Sequence, residues 1–134
     1  MGKVNGEVAN FDLLADGAGE IAINGVTTVY TECFYCQKNV TFGFEYKFRG
    51  AAVLCDIFIE QGSTPPAVEG AASANMVIPD SGGTLYTDLS DDLLHVMPFS
   101  PVVTDFLRIK IVGKAGNGAD TVLEKFLVNT IVNA

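Results

Sequence analysis

The sequence predicts an all-β fold, an antiparallel two-sheet β-sandwich of jelly-roll type, with an immunoglobulin-like sandwich as the alternative. Two observations predict it. Apolar residues recur at every second position over several short runs, the period of a strand with one buried face. Fourteen glycines and five prolines fall mostly between those runs, so turn signals separate roughly eight to ten short strands. The Cys…Trp…Cys pattern of true immunoglobulin domains is absent, because the chain has no Trp.

The clearest run is Val40 to Ile59. Phe42, Phe44, Tyr46 and Phe48 share one side of an extended chain, and Thr41, Gly43, Glu45, Lys47 and Arg49 the other. Gly50 supplies a turn, and Val53, Cys55, Ile57 and Ile59 resume the alternation. The stretch reads as a β-hairpin whose aromatic face needs a second sheet to cover it.

In chain order, residues 1–10 are small and polar and read as a flexible N-terminal arm, leaving 11–134 as a single sandwich domain. Phe11 to Leu14 is a short strand, and Asp16 to Gly19 a turn. Glu20 to Ile23 and Val26 to Thr31 flank Asn24-Gly25, a strong hairpin signal. Glu32 to Asn39 connects to the Val40 hairpin. Gln61 to Ala74 carries Gly62, Pro65, Pro66 and Gly70, which forbid a long helix or a central strand; a loop this long in a small domain is often functional. Asn75 to Ile78, Thr84 to Thr87 and Leu93 to Phe99 read as short strands. Val102 to Val112 alternates again, with Leu107, Ile109 and Ile111 on one side and Arg108 and Lys110 on the other. After the glycine-rich turn Gly113 to Gly118, Thr121 to Val132 has helical as well as strand spacing; its β-branched residues favour a strand. The predicted core is Phe42, Phe44, Tyr46, Phe48, Leu107, Ile109 and Ile111.

The 134 residues suit one domain, and the 49% hydrophobic content excludes a disordered chain. The formal net charge of −8, with bases scattered singly, argues against a nucleic-acid partner. No apolar stretch approaches a membrane span, and the N-terminus lacks the apolar core of a signal peptide, so synthesis and retention in a cytoplasm are expected.

Motifs that carry chemistry are few. Cys33-Phe34-Tyr35-Cys36 has C-x-x-C spacing, and with Cys55 and the single His95 it supplies four conceivable zinc ligands. No second C-x-x-C supports that set, and three cysteines do not make a disulfide framework, so buried apolar thiols are the default. Asp88, Asp91, Asp92 and His95 form the densest acidic cluster, without EF-hand spacing. The segment from Gly17 to Ala22 matches G-x-G-x-x-A but precedes strands rather than a helix. Asn39-Val40-Thr41 is a glycosylation sequon without a secretory context. No G-x-S-x-G surrounds a serine. The expectation is a non-enzyme with no cofactor, no metal and no catalytic residues. Leu54 and Phe58 are apolar on the nominally outer side of their strand. With Pro65 and Pro66 of the long loop they are the candidate interface; a sheet covered on both sides by its own loops is the competing explanation.

The aromatic segment FGFEYKFRGAAVLCDIFIEQG, the proline-bounded MPFSPVVTDFLRIKIVG and the final asparagine-glycine turn and apolar strand together resemble the small jelly-roll structural proteins of tailed-phage virions, the capsid decoration or auxiliary proteins. The resemblance spans roughly Gly19 to Val132 and is one of pattern. It implies a virion protein, made in the host cytoplasm, that binds the major capsid protein or another virion protein as a homo-oligomer, for which a trimer is expected. A lectin-like carbohydrate-binding sandwich is the alternative, with Tyr30, Phe34, Tyr35 and Tyr86 as candidate sugar-stacking residues.

Overall fold

The computed structural model describes residues 6–14, 19–36, 42–80, 82–99 and 104–133. The strands are β1 (Gly6–Asp12), β2 (Ile21–Ala22), β3 (Thr28–Tyr30), β4 (Phe34–Tyr35), β5 (Phe42–Arg49), β6 (Cys55–Gly62), β7 (Thr84–Leu89), β8 (His95–Phe99), β9 (Phe106–Gly113) and β10 (Val122–Asn133). They form two antiparallel sheets. The first has the order β1-β10-β5-β8, with β2 pairing β10 beyond β1; the second has the order β3-β9-β6-β7, with β4 pairing β9 beyond β3.

The pairing is nested. β1 pairs with β10, β3 and β4 with β9, β5 with β8, and β6 with β7, as if one long hairpin had been folded back on itself. Rolling that hairpin sets β10 beside β5 and β9 beside β6, closing two sheets over one core. This is the jelly-roll arrangement. The hairpin-wise strand orders of an immunoglobulin sandwich are not present among the described strands.

The core lies between the two inner faces. Phe44, Tyr46, Phe48, Leu107, Ile109 and Ile111 are fully buried, as their alternation predicts, together with Ile57, Ile59, Leu123, Phe126 and Val128. The Phe42 side chain lies outside the described residues. Tyr46 stacks on Phe126 with ring centroids 5.2 Å apart, and Phe44 packs obliquely on the same ring.

Several local expectations are corrected. Val40 to Ile59 is not a hairpin: β5 and β6 belong to opposite sheets, and residues 50–54 cross between them. The aromatic row of β5 is therefore covered partly by the Val53–Ile59 row that follows it in sequence. Asn24-Gly25 does make a turn, with Gly25 at φ 60°, but β2 and β3 also enter different sheets. Residues 6–10 of the expected arm extend β1, because backbone pairing with β10 needs no apolar pattern; residues 1–5 lie outside the described residues. Asn75 to Ile78 contributes only an isolated bridge, Gln61 to Val77. The Thr121–Val132 segment is a strand, as favoured. The sequon at 39–41 and residues 15–18 lie outside the described residues.

Candidate protein interface

Register fixes which loops share an end of the sandwich. Arg49 ends β5 opposite Val122 at the start of β10, Cys55 begins β6 opposite Gly113 at the end of β9, and Thr28 begins β3 opposite Val112. Tyr46 and Cys55 likewise bring His95, which opens β8, and Leu89, which ends β7, to the same end. The crossovers at 23–27, 50–54, 90–94 and 114–121 therefore meet at one end.

Asn117 ties that end together. Its Nδ2 donates to the carbonyls of Ile23 and Gly25 at 2.7 and 2.8 Å. Its Oδ1 accepts from the Leu54 N–H at 3.0 Å and the Thr121 hydroxyl at 2.8 Å. Backbone bonds from Gly25 N to Gly118 O and from Gly118 N to Ala52 O complete the clasp. Gly113 is required beneath it, since a Cβ there would fall on the Gly25 carbonyl and against Asn117 Nδ2. In the sequence this segment shows only a glycine-rich turn. The partners of Asn117 lie more than sixty residues away in the case of Leu54 and more than ninety for Ile23, so no local pattern marks them.

On this rigid end the β7–β8 crossover exposes Leu93 (63%), Leu94 (51%) and Val96 (68%), the last on β8, an edge strand. Beside it a cleft of about 200 Å³ runs between residues 50–53 and 90–92, with Ala51, Ala52, Asp91 and Asp92 among its walls. Asp91 accepts from Leu93 N at 3.0 Å and lies 2.7 Å from His95 Nε2. Partial burial pushes the Asp91 carboxyl up, but the hydrogen bonds from His95 and Leu93 outweigh it and hold it below its ordinary value. His95 in turn stacks on Tyr46 and meets the edge of Tyr86. Asp88, at φ 55°, is bound by Lys114 and donates its N–H to Asp56.

The outer faces differ. On the first sheet, outward side chains form a polar lattice: Lys47 with Glu124, Lys125 with Glu45, and Arg49 with Glu20. On the second, the long loop lies over the sheet as a strap. Arg108, placed by alternation on the side opposite Leu107, Ile109 and Ile111, does lie on that side but is fully buried beneath the strap. Its Nε donates to Glu60 Oε1 at 2.8 Å, its Nη1 to the Ala71 carbonyl at 2.8 Å, and its guanidinium sits 4.1 Å from the Tyr30 ring centroid. Cys33 N donates to Glu69 Oε1 at 2.7 Å, and Gln61 and Val77 exchange backbone bonds. The competing explanation of a sheet covered by its own loop thus describes Glu60 and Arg108. Leu54 and Phe58 are half-buried, Pro65 is exposed and Pro66 is buried.

The conceivable zinc set does not assemble. Phe34, flanked by Cys33 and Cys36, pairs with Leu107, whereas Cys55 pairs with Gly113, six positions further along β9 and about 20 Å away. Among the described residues no group of three or more metal-ligating side chains gathers. Of the candidate sugar-stacking aromatics, Phe34 is buried, Tyr30 is taken by Arg108, and Tyr86 is half-buried against His95; Tyr35 is exposed and packs on Phe106.

No protein-family model matches the chain, and no characterised protein matches it in sequence. Among solved structures it is similar to a chain of "Structure of infectious bursal disease virus Gx strain", with a TM-score of 0.53 and 12% identity. The match covers 96% of this chain and 33% of that one, so this chain spans about a third of the viral chain's length. At that identity the likeness is one of fold.

Proposed function

We propose that this chain is a non-enzymatic structural protein of a virion, and more narrowly a capsid decoration or auxiliary protein of tailed-phage type. On this reading it binds the surface of the shell through the major capsid protein, as a homo-oligomer, with a trimer expected. The observation that carries the reading is the complete nested jelly roll over the described chain, matched across nearly its whole length by a chain of a virus structure. The clasped crossover end supports it, since a rigid end presenting apolar side chains suits attachment to another protein. The sugar-binding alternative draws less support, because three of its four aromatics are engaged or covered.

Mass spectrometry of purified particles, followed by adding the recombinant chain back to particles that lack it, tests the reading. Stoichiometric recovery on the particle supports it. Absence from particles, with no rebinding, overturns it.

A further inference from the structure

We propose that the crossover end of the sandwich is a docking surface for a protein partner that presents a Lys or Arg side chain flanked by apolar residues. The proposal deepens the virion reading by naming the surface of attachment and the chemistry of what it meets.

The apolar half of the surface is the run Leu93, Leu94 and Val96, at least half exposed at each position and held on a crossover that Asp91 ties to its own backbone. Three large apolar side chains so close in sequence are costly to leave in water on a protein whose other crossovers are clasped. The polar half is the adjoining cleft. Asp92, on its wall, has no hydrogen-bond or ion partner among the described residues, and the Asp91 contacts use Oδ1 alone. The cleft's volume suits the end of one long side chain, whose methylenes would lie along Ala51 and Ala52.

Charge complementarity selects the occupant. Of the six described basic side chains, Lys47, Arg49, Arg108, Lys114 and Lys125 already form ion pairs within the chain; Lys110 is the exception. The chain as a whole carries a net charge of −8. A second copy would bring the same surplus of acids to this surface, and among its described bases Lys110 alone stands outside an ion pair. A different, basic partner gains the apolar and the charged contact without bringing that surplus of acids.

The test uses the full chain and a synthetic peptide of alternating Lys and Leu, with Glu–Leu and Lys–Ser peptides as controls. Backbone amide shifts should move at 50–53 and 90–96 with the Lys–Leu peptide and not with either control. Leu93→Ser with Leu94→Ser, and separately Asp92→Asn, should each weaken binding by about ten-fold or more, with the melting temperature kept. Asp80→Asn removes the same charge from the segment shortly before β7 and should leave binding unchanged. Shifts spread over the acidic surface, or equal weakening by Asp80→Asn, would overturn the proposal as mere charge attraction. Concentration-dependent self-association abolished by the leucine variants would overturn it in favour of a second copy. Particle incorporation is read separately. A chain found on particles whose leucine variants rebind equally well keeps the virion role and loses this surface, whereas peptide docking without incorporation keeps the surface and loses the virion role.

Discussion

Arg108 and Glu60 form an ion pair sealed from solvent on the outer face of a sheet. The Arg108 side chain is 0% exposed and that of Glu60 8%, and Nε donates to Oε1 at 2.8 Å. The pair is buried because residues 63–80 fold back over it and offer the Ala71 carbonyl as a second acceptor. It joins β6 and β9, the middle strands of their sheet, to the strap above them.

Breaking that pair by one member should be far more damaging than replacing both. Glu60→Leu leaves the guanidinium buried without its carboxylate, at an expected cost of about 3–5 kcal/mol. Arg108→Met combined with Glu60→Leu should recover most of that loss, since no charge is then stranded. Urea denaturation of the three proteins checks this. Equal costs for the single and double variants would show that the strap holds independently of the pair.

The Asn117 clasp makes a local prediction. Asn117→Ala leaves the Leu54 N–H and the Ile23 carbonyl without their side-chain partner in a largely buried setting, which should cost about 2–3 kcal/mol. Hydrogen exchange should quicken at 23–25 and 52–54 while the β5 and β10 amides stay protected. Uniform loss of protection would mean the clasp is part of the global folding unit rather than a fastening of one end.

What was readable and what was not divides along one physical line. Alternation marks a strand with one buried side, and it placed Phe44, Tyr46, Phe48, Ile109 and Ile111 inside. Alternation is the same whether two successive strands lie side by side or face to face, so the pattern predicts a hairpin for β5 and β6, which lie in opposite sheets. Sheet membership is decided by long-range pairing with β10 and β9, and no short window contains it. Alternation likewise puts Arg108 on the outer side of β9, but the strap that covers that side is a feature of the fold, not of the strand. Of the candidate surface, the sequence marks Asp88, Asp91, Asp92 and His95 as its densest acidic cluster, while their apolar neighbours Leu93 and Leu94 have only the pattern of a strand.

The thiols should behave as protonated, packed groups. Burial pushes Cys36 up to about 12 and Cys33 and Cys55 up to about 11, with the Glu69 charge adding to the effect at Cys33 and the Cys33 charge at Cys36. Iodoacetamide at pH 8 should therefore label the folded chain slowly and the urea-unfolded chain quickly. The sign of the linkage follows. A group raised on folding contributes stability that is intact below its unfolded value and lost as pH rises through the folded one. Stability should thus fall between about pH 9 and 12, with Tyr46, also pushed up to about 12 by burial, adding to the loss. Rapid labelling of the native protein at pH 8 would contradict the burial on which this rests.

At the acid end the sign reverses. Hydrogen bonds from Lys125 and Asn129 hold the Glu45 carboxyl below its ordinary value, as that from Lys47 does for Glu124. Carboxyls lowered on folding contribute stability that is present above the unfolded value and lost as pH falls through the folded one. Melting temperature should be level from neutrality to about pH 5 and fall below about pH 4, less steeply in Glu45→Gln. A variant with an unchanged acid limb would show that the Glu45 bonds are too screened to matter.

The last prediction concerns self-association through the outer face of β6. Phe58 lies on that face with Asp56 and Glu60, Leu54 immediately precedes the strand in the 50–54 crossover, and both are half-buried. A single chain gains little by placing a Phe where only part of it is covered, whereas a neighbouring subunit could bury the remainder. Leu54→Glu with Phe58→Glu should dissociate the expected homo-oligomer, read by sedimentation, and leave the far-ultraviolet spectrum of a β protein intact. The leucines of the crossover end provide the contrast: Leu93→Ser with Leu94→Ser should leave the oligomer whole. Wild-type protein sedimenting as a monomer at high concentration would remove the case for self-association and leave the strap as the only cover this face has. Unfolding of the Leu54 and Phe58 variant would instead assign both side chains to the packing within one chain. The Arg108–Glu60 pair would then be one part of a second small core on the outer face.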